Sequence, residues 1–271
     1  MSTSSSNESI EIREVWSYNL QQEFKTIADC VSSYPYVSID TEFPGNVIPE
    51  QSKRINKTKV SYSCLRNNIN ATKLIQLGLT LGDEKGNLPK CGSNRSSCVW
   101  QFNFCDFNVK KDNYVKESIE LLTRNGIDFK KNQANGILLV DFAELAMSSG
   151  IFMNNDVRLI YFHGSSDFGY LLKMLTGRKE LPNTPQEFLK LMNVFTPNFY
   201  DVKHLAMFCQ IFGGLDSMAT QMNLTRVGIA HQAGSDSLLT YRLFMKFIEI
   251  FFGGNLPQVG SNVIYGVDIY Y

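Results

Sequence analysis

The sequence predicts an α/β fold with a mixed central sheet flanked by helices. Three observations point there. Short apolar runs that alternate, or stop at turn residues, concentrate before residue 105. Stretches with apolar side chains three and four apart dominate after it. One later apolar run, Val157–His163, passes directly into such a stretch, as a strand does when a helix follows it back along a sheet.

Asn19–Ser32 reads as a helix because Leu20, Phe24, Ile27 and Val31 share one stripe. Tyr36–Phe43 reads as a strand stopped by Pro44-Gly45. Lys73–Leu81 and Cys98–Phe104 are two more strands, and the turn-rich Gly82–Ser97 between them reads as a long hairpin loop. Val115–Thr123 is a helix with Asn125-Gly126 behind it, and Gly136–Met147 is another, ended by Ser148-Ser149-Gly150. The strand Val157–His163 leads into a helix from about Ser166 to Thr176, with Gly177 as its stop. Pro185–Met192, Val202–Gln210 and Ser217–Met222 are helical, and Ser235–Phe252 is a long final helix. Residues 1–9 read as a disordered tail, 10–253 as one domain and 254–271 as a C-terminal tail.

A chain of 271 residues can bury a substantial core. Its 26 basic and 26 acidic residues cancel, which excludes a strongly basic, non-specific nucleic-acid binder but not a local patch. Such a patch exists in Asn46–Lys73. There Lys53, Arg54, Lys57, Lys59, Arg66 and Lys73 face one acid, Glu50, so the segment reads either as a solvated basic loop or as a flap that holds a polyanion. The six cysteines are sparse and form no CxxC pair, which favours a reducing compartment over a disulfide scaffold. Three histidines without finger spacing argue against structural zinc. The Ser-rich start has no leader-like apolar stretch, and no run approaches 18 apolar residues, so neither secretion nor a membrane span is expected. The expected location is the cytoplasm, with the nucleus as a second.

The chemistry begins at Asp40-Thr-Glu42. On an alternating strand these two carboxylates point to the same side, where they repel unless a cation sits between them. Oxygen ligands of this kind suit Mg²⁺ or Mn²⁺. Taken alone, the pattern also describes two acids on the solvated face of an edge strand. Asp167 begins a helix after an apolar strand, so it is either a further carboxylate at the same sheet end or an acid that favours the helix dipole. His231 and Asp236 flank a Gly-Ser helix start, so they are either a satisfied loop histidine and a helix-start acid, or a general base beside a fourth carboxylate. Phe43 reads as a core aromatic or a stacking surface, and His163 and Asp201 as sheet-end polar residues.

Together, Asp40-Thr-Glu42-Phe-Pro-Gly, Phe162-His-Gly-Ser-Ser-Asp167-Phe-Gly-Tyr and His231-Gln-Ala-Gly-Ser-Asp236-Ser-Leu-Leu-Thr resemble the three motifs of the DEDD exonucleases. More narrowly the chain is similar to the Caf/Pop family of deadenylases, catalytic subunits of the Ccr–Not complex. Ile75-Gln-Leu-Gly-Leu, Val99-Trp-Gln-Phe-Asn-Phe and Pro197-Asn-Phe-Tyr-Asp201-Val-Lys add to the likeness, which runs from about Ile12 to Phe252. The resemblance implies a ribonuclease-H-like fold and removal of poly(A) from the 3′ end of mRNA, with 5′-AMP as product. It implies that Asp40, Glu42, Asp167 and Asp236 hold two divalent cations, Mg²⁺ or Mn²⁺, with Asp40 bridging, and that His231 is the base. It also implies poly(A) RNA, the Ccr–Not scaffold and a second deadenylase subunit as partners. Phe43, His163, Lys53 and Arg54 are the candidate RNA contacts. Two other readings stand beside this one: a non-catalytic adaptor with the same fold, and a related exonuclease on other nucleic acids.

Overall fold

The computed structural model describes residues 9–50, 60–92 and 95–268. The N-terminal residues 1–8 of the expected tail, and Lys53 and Arg54, lie outside them.

In chain order the elements are β1 (Ile10–Val15), α1 (Leu20–Val31), β2 (Tyr36–Glu42), β3 (Val60–Ser61), α2 (Tyr62–Ala71), β4 (Gln76–Gly82), β5 (Lys90–Cys91) and β6 (Ser96–Asn103). Then come α3 (Lys116–Arg124), α4 (Phe129–Asn135), α5 (Leu139–Ser148), β7 (Arg158–Tyr161), α6 (Ser165–Leu175), α7 (Pro185–Phe195) and β8 (Phe199–Asp201). The last are α8 (Val202–Phe208), α9 (Leu215–Gln221), α10 (Ala233–Phe251) and β9 (Val267–Asp268).

One mixed sheet runs β1-β6-β4-β2-β7-β8, with β5 on the side of β6. β4 is antiparallel to β2 and β6, while β1–β6, β2–β7 and β7–β8 are parallel. Alternation along β2 sorts its side chains between two layers. Val37 and Ile39 join a core that includes Phe24, Phe142 and Phe168, while Tyr36 joins the core of Phe244 and Phe247 on α10. The expected α/β class with a mixed sheet is what the chain forms. No helix of the described residues is long and apolar enough to cross a membrane.

Three expectations need correction. Asn46–Lys73 is not all loop, because α2 lies within it. Tyr62, Leu65 and Ile69 form a buried stripe and the Ser61 side chain caps the helix at Cys64 N–H. Two of its basic residues tie the fold together: Arg66 donates to Glu180, Asn183 and the Leu181 carbonyl, and Lys73 to Asp112 and the Asp106 carbonyl. Of the segment 254–271, read as a tail, the described residues 254–268 pack on the domain. Ile264 and Val267 are buried and β9 pairs with β3. The cysteines are not all thiols, since Cys91 and Cys98 are joined as a disulfide across β5 and β6.

Candidate active site

The site grows from the β2–β4 register. Asp40 pairs with Gly78 and Glu42 with Gln76, so these four positions share the face covered by α10. Gly78 has to be glycine. A Cβ there would overlap the Ala233 carbonyl and stand 2.6 Å from the Gly234 nitrogen, so α10 rests directly on the strand beside Asp40.

The start of α10 is held by side chains from distant strands. Gln76 Oε1 accepts from Ala233 N–H at 2.8 Å, and Gln101 Oε1 accepts from Gly234 N–H at 2.9 Å. Helix starts leave such N–H groups without partners, so the two glutamines cap it from below. Their amides donate in turn to Gln232 Oε1, at 3.1 and 2.8 Å. Asp236 follows in the first turn. Its Oδ2 accepts from His231 N–H at 3.1 Å, and its Oδ1 is paired with the Arg226 guanidinium. His231 sits in the left-handed region, φ 60°, with an exposed side chain.

Asp167, in the first turn of α6, is buried and accepts from Thr41 Oγ1 at 2.6 Å. Its platform is Asp201, fully buried at the end of β8, whose carboxylate accepts from the N–H groups of His163, Gly164, Lys203 and Tyr265. One carboxylate thereby ties the turn before Asp167 to α8 and to the C-terminal segment.

Four acids therefore converge from three elements. Burial, then repulsion from Asp236, Asp167 and Glu42, holds Asp40 well above the carboxylate range. Burial, then Asp236 and Asp167, raises Glu42 to about 8. Burial raises Asp167 to about 7 against the Thr41 hydrogen bond, and raises Asp236 against the opposing charge of Arg226. Such a cluster is frustrated without cations. Ligand atoms of Glu42, His231 and Asp236 lie within 4.8 Å of one another, so this hard-oxygen set with one imidazole fits a divalent cation.

Asp40 and Asp167 open onto a cavity of about 670 Å³ lined also by Phe43, Phe162, His163 and Gly266. Phe43 packs on Tyr170 with ring centres 5.2 Å apart, as a core aromatic does, and it also lines this cavity. His163 lines it too, with its ring 5.1 Å from that of Tyr265.

Residues 15–149 match the model of the CAF1 family ribonucleases. The chain is 49% identical to the probable CCR4-associated factor 1 homolog 10 of Arabidopsis thaliana, over 97% of its own length and 94% of the relative's. The chain belongs to the CAF1 ribonuclease family. It is also 43% identical to the poly(A) ribonuclease pop2 of Schizosaccharomyces pombe, over 94% of this chain and 75% of that protein. The structure of S. pombe Pop2p in its Mg²⁺- and Mn²⁺-bound form matches with a TM-score of 0.86 at 43% identity, covering 94% and 99% of the two chains. A chain from the structure of the yeast NOT1 MIF4G domain co-crystallised with CAF1 matches with a TM-score of 0.78 at 32% identity, covering 98% and 100%.

In this CAF1 chain all five motif residues, Asp40, Glu42, Asp167, His231 and Asp236, reach the same end of the sheet. Sequence reasoning missed Thr41, Gly78, Gln76, Gln101, Arg226 and Gly266. A signal existed for four of them, because Thr41 lies inside the first motif and Gln76, Gly78 and Gln101 inside the supporting stretches of the resemblance. Arg226 and Gly266 carried none, since Arg226 lies in a loop outside every motif and Gly266 lies in the segment read as a tail.

Proposed function

We propose that the chain is a divalent-metal-dependent 3′→5′ exoribonuclease that shortens poly(A) tails one 5′-AMP at a time. The observation that carries this is the convergence of four carboxylates, two buried and two half-buried, with His231 in a chain 43% identical to a poly(A) ribonuclease. Glu42 and Asp236 would hold one cation, Asp167 would serve the second, and Asp40 would contribute to both. When bound, the cations lower the pKa of water and offset charge on the phosphate. The remaining work falls to the chain. His231, exposed beside Asp236, takes the proton of the attacking water. A water oxygen–phosphorus bond forms, the bond to the 3′-oxygen breaks, and that oxygen takes a proton from solvent as it leaves as the new 3′ hydroxyl. Phe43 and Phe162 offer apolar faces to the terminal bases, in a cavity large enough for a nucleotide. Lys53 and Arg54 would add contacts to the phosphates.

The protein would work in the cytoplasm, and also in the nucleus, on the Ccr–Not scaffold beside a second deadenylase. Relatives described as CCR4-associated factors, and the yeast NOT1 MIF4G domain co-crystallised with CAF1, support the scaffold as a partner. The test is 5′-labelled RNA ending in adenosines, incubated with Mg²⁺ or Mn²⁺. A ladder that shortens from the 3′ end is expected, abolished by EDTA and by Asp40→Ala. An intact substrate at high protein concentration would favour the adaptor, and equal rates on A-tailed DNA would sink the RNA assignment.

A further inference from the structure

Arg226 lies in the loop before α10, outside the three motifs. Its side chain is 16% exposed and makes three attachments. Nε donates to Asp216 Oδ1 at 2.8 Å, one terminal nitrogen donates to Ser235 Oγ at 2.9 Å, and that same nitrogen pairs with Asp236 Oδ1. Among the described residues it is the basic side chain whose ion pair reaches a carboxylate of the site. It therefore stands on an oxygen that a cation would need.

Removing it would not set Asp236 adrift. The other oxygen stays on His231 N–H, and the residue is buried in a helix turn capped by Gln76 and Gln101. The ion pair is thus not what aims the carboxylate. We propose that Arg226 is a built-in competitor for the metal: it occupies Asp236 while the site is empty, stabilises the carboxylate cluster, and sets a ceiling on divalent affinity. Asp216, 62% exposed at the start of α9, draws the guanidinium the other way and partly offsets its charge. The inference rests on the reading of Asp236 as a metal ligand.

Two substitutions then act in opposite directions. Arg226→Gln keeps a donor for Ser235 but removes the charge, and should tighten Mn²⁺ binding about tenfold, the scale of repulsion between a divalent ion and a guanidinium a few ångströms away in a water-like dielectric. Asp216→Asn frees more of the guanidinium for Asp236 and should weaken Mn²⁺ binding about two- to fivefold. The measurement is Mn²⁺ titration of the full chain, stripped with EDTA and dialysed, read by the electron paramagnetic resonance signal of free Mn²⁺. Unchanged or weaker binding in Arg226→Gln overturns the proposal. If far-ultraviolet circular dichroism shows that this variant does not fold, Asp216→Asn decides alone, and unchanged or tighter binding there overturns it. Asp236→Asn is the separate control: wild-type affinity in that variant refutes the ligand reading of Asp236 whatever Arg226 does.

Discussion

Gly78→Ala is expected to disable the site without touching a reactive group. The new methyl would overlap the Ala233 carbonyl and stand 2.6 Å from Gly234 N, where ordinary contact begins at 3.4 Å. Backbone atoms cannot rotate away, so the start of α10 has to lift from β4 by roughly 1 Å or more, because the Ala233 carbonyl lies closer still than Gly234 N. That lift pulls Ala233 and Gly234 off Gln76 and Gln101, and carries Asp236 away from Asp40, whose strand partner is Gly78 itself. Overpacking of this kind costs about 1–3 kcal/mol of stability. Misplacing a reacting group by about 1 Å costs on the order of 10²-fold in rate. Urea denaturation and the rate of A-tail shortening measure the two effects on one preparation. Gly214→Ala is the matched control, because a methyl there meets nothing within 4 Å. A folded Gly78→Ala protein that loses under about 0.5 kcal/mol and shortens A-tails at the wild-type rate would refute the claim that this contact positions Asp236.

Four further outcomes are expected. Glu42 and Asp167 hold their protons up to about 8 and about 7, far above the ordinary 4.5 and 3.8. Without metal, their contribution to stability is full below the ordinary values and is lost as pH rises through the raised ones. The Tm gain from Mn²⁺ over EDTA should therefore widen between pH 6 and pH 8.5, and Glu42→Gln should flatten that trend; a gap independent of pH would contradict it. Thr41→Val removes the 2.6 Å hydrogen bond to Asp167 at nearly constant shape. It should cost about 1.5–3 kcal/mol of stability above the raised Asp167 value of about 7, where the carboxylate is charged, measured by denaturation, and less at lower pH once Asp167 is protonated. His231→Ala should slow the reaction roughly 10²–10⁴-fold, and calorimetry with Mn²⁺ should find binding retained; lost binding would make His231 a ligand, as its place beside Glu42 and Asp236 permits. Neutralising Lys53, Arg54, Lys57 and Lys59 should reduce the salt dependence of RNA binding, and an unchanged slope would leave that segment without a role in holding phosphate.

Much of this was legible locally. The β2 alternation put Asp40 and Glu42 on one side, and the β4 register confirms the shared face. Helices with clear stripes, such as α1 and α10, could be found because a 3.6-residue period is written in neighbouring side chains. What escaped were elements whose reason to exist lies elsewhere in the chain. β1, β8 and β9 are short and are held by partners far away in sequence, and α4 is only seven residues long. The stripe of α2 was present but diluted by asparagines and read as part of a basic loop.

The sequence by itself determined which residues can do chemistry and the strand or helix that carries each, because residue type and local period are properties of adjacent positions. Only the tertiary structure decided how those residues are aimed. Asp236 is placed by glutamines on two distant strands and by the missing side chain of Gly78, Asp167 by Thr41 and the clamp of Asp201, and the charge on the cluster by Arg226. Those contacts join positions as far as 157 residues apart. Such pairings become visible only once the sheet has brought them together.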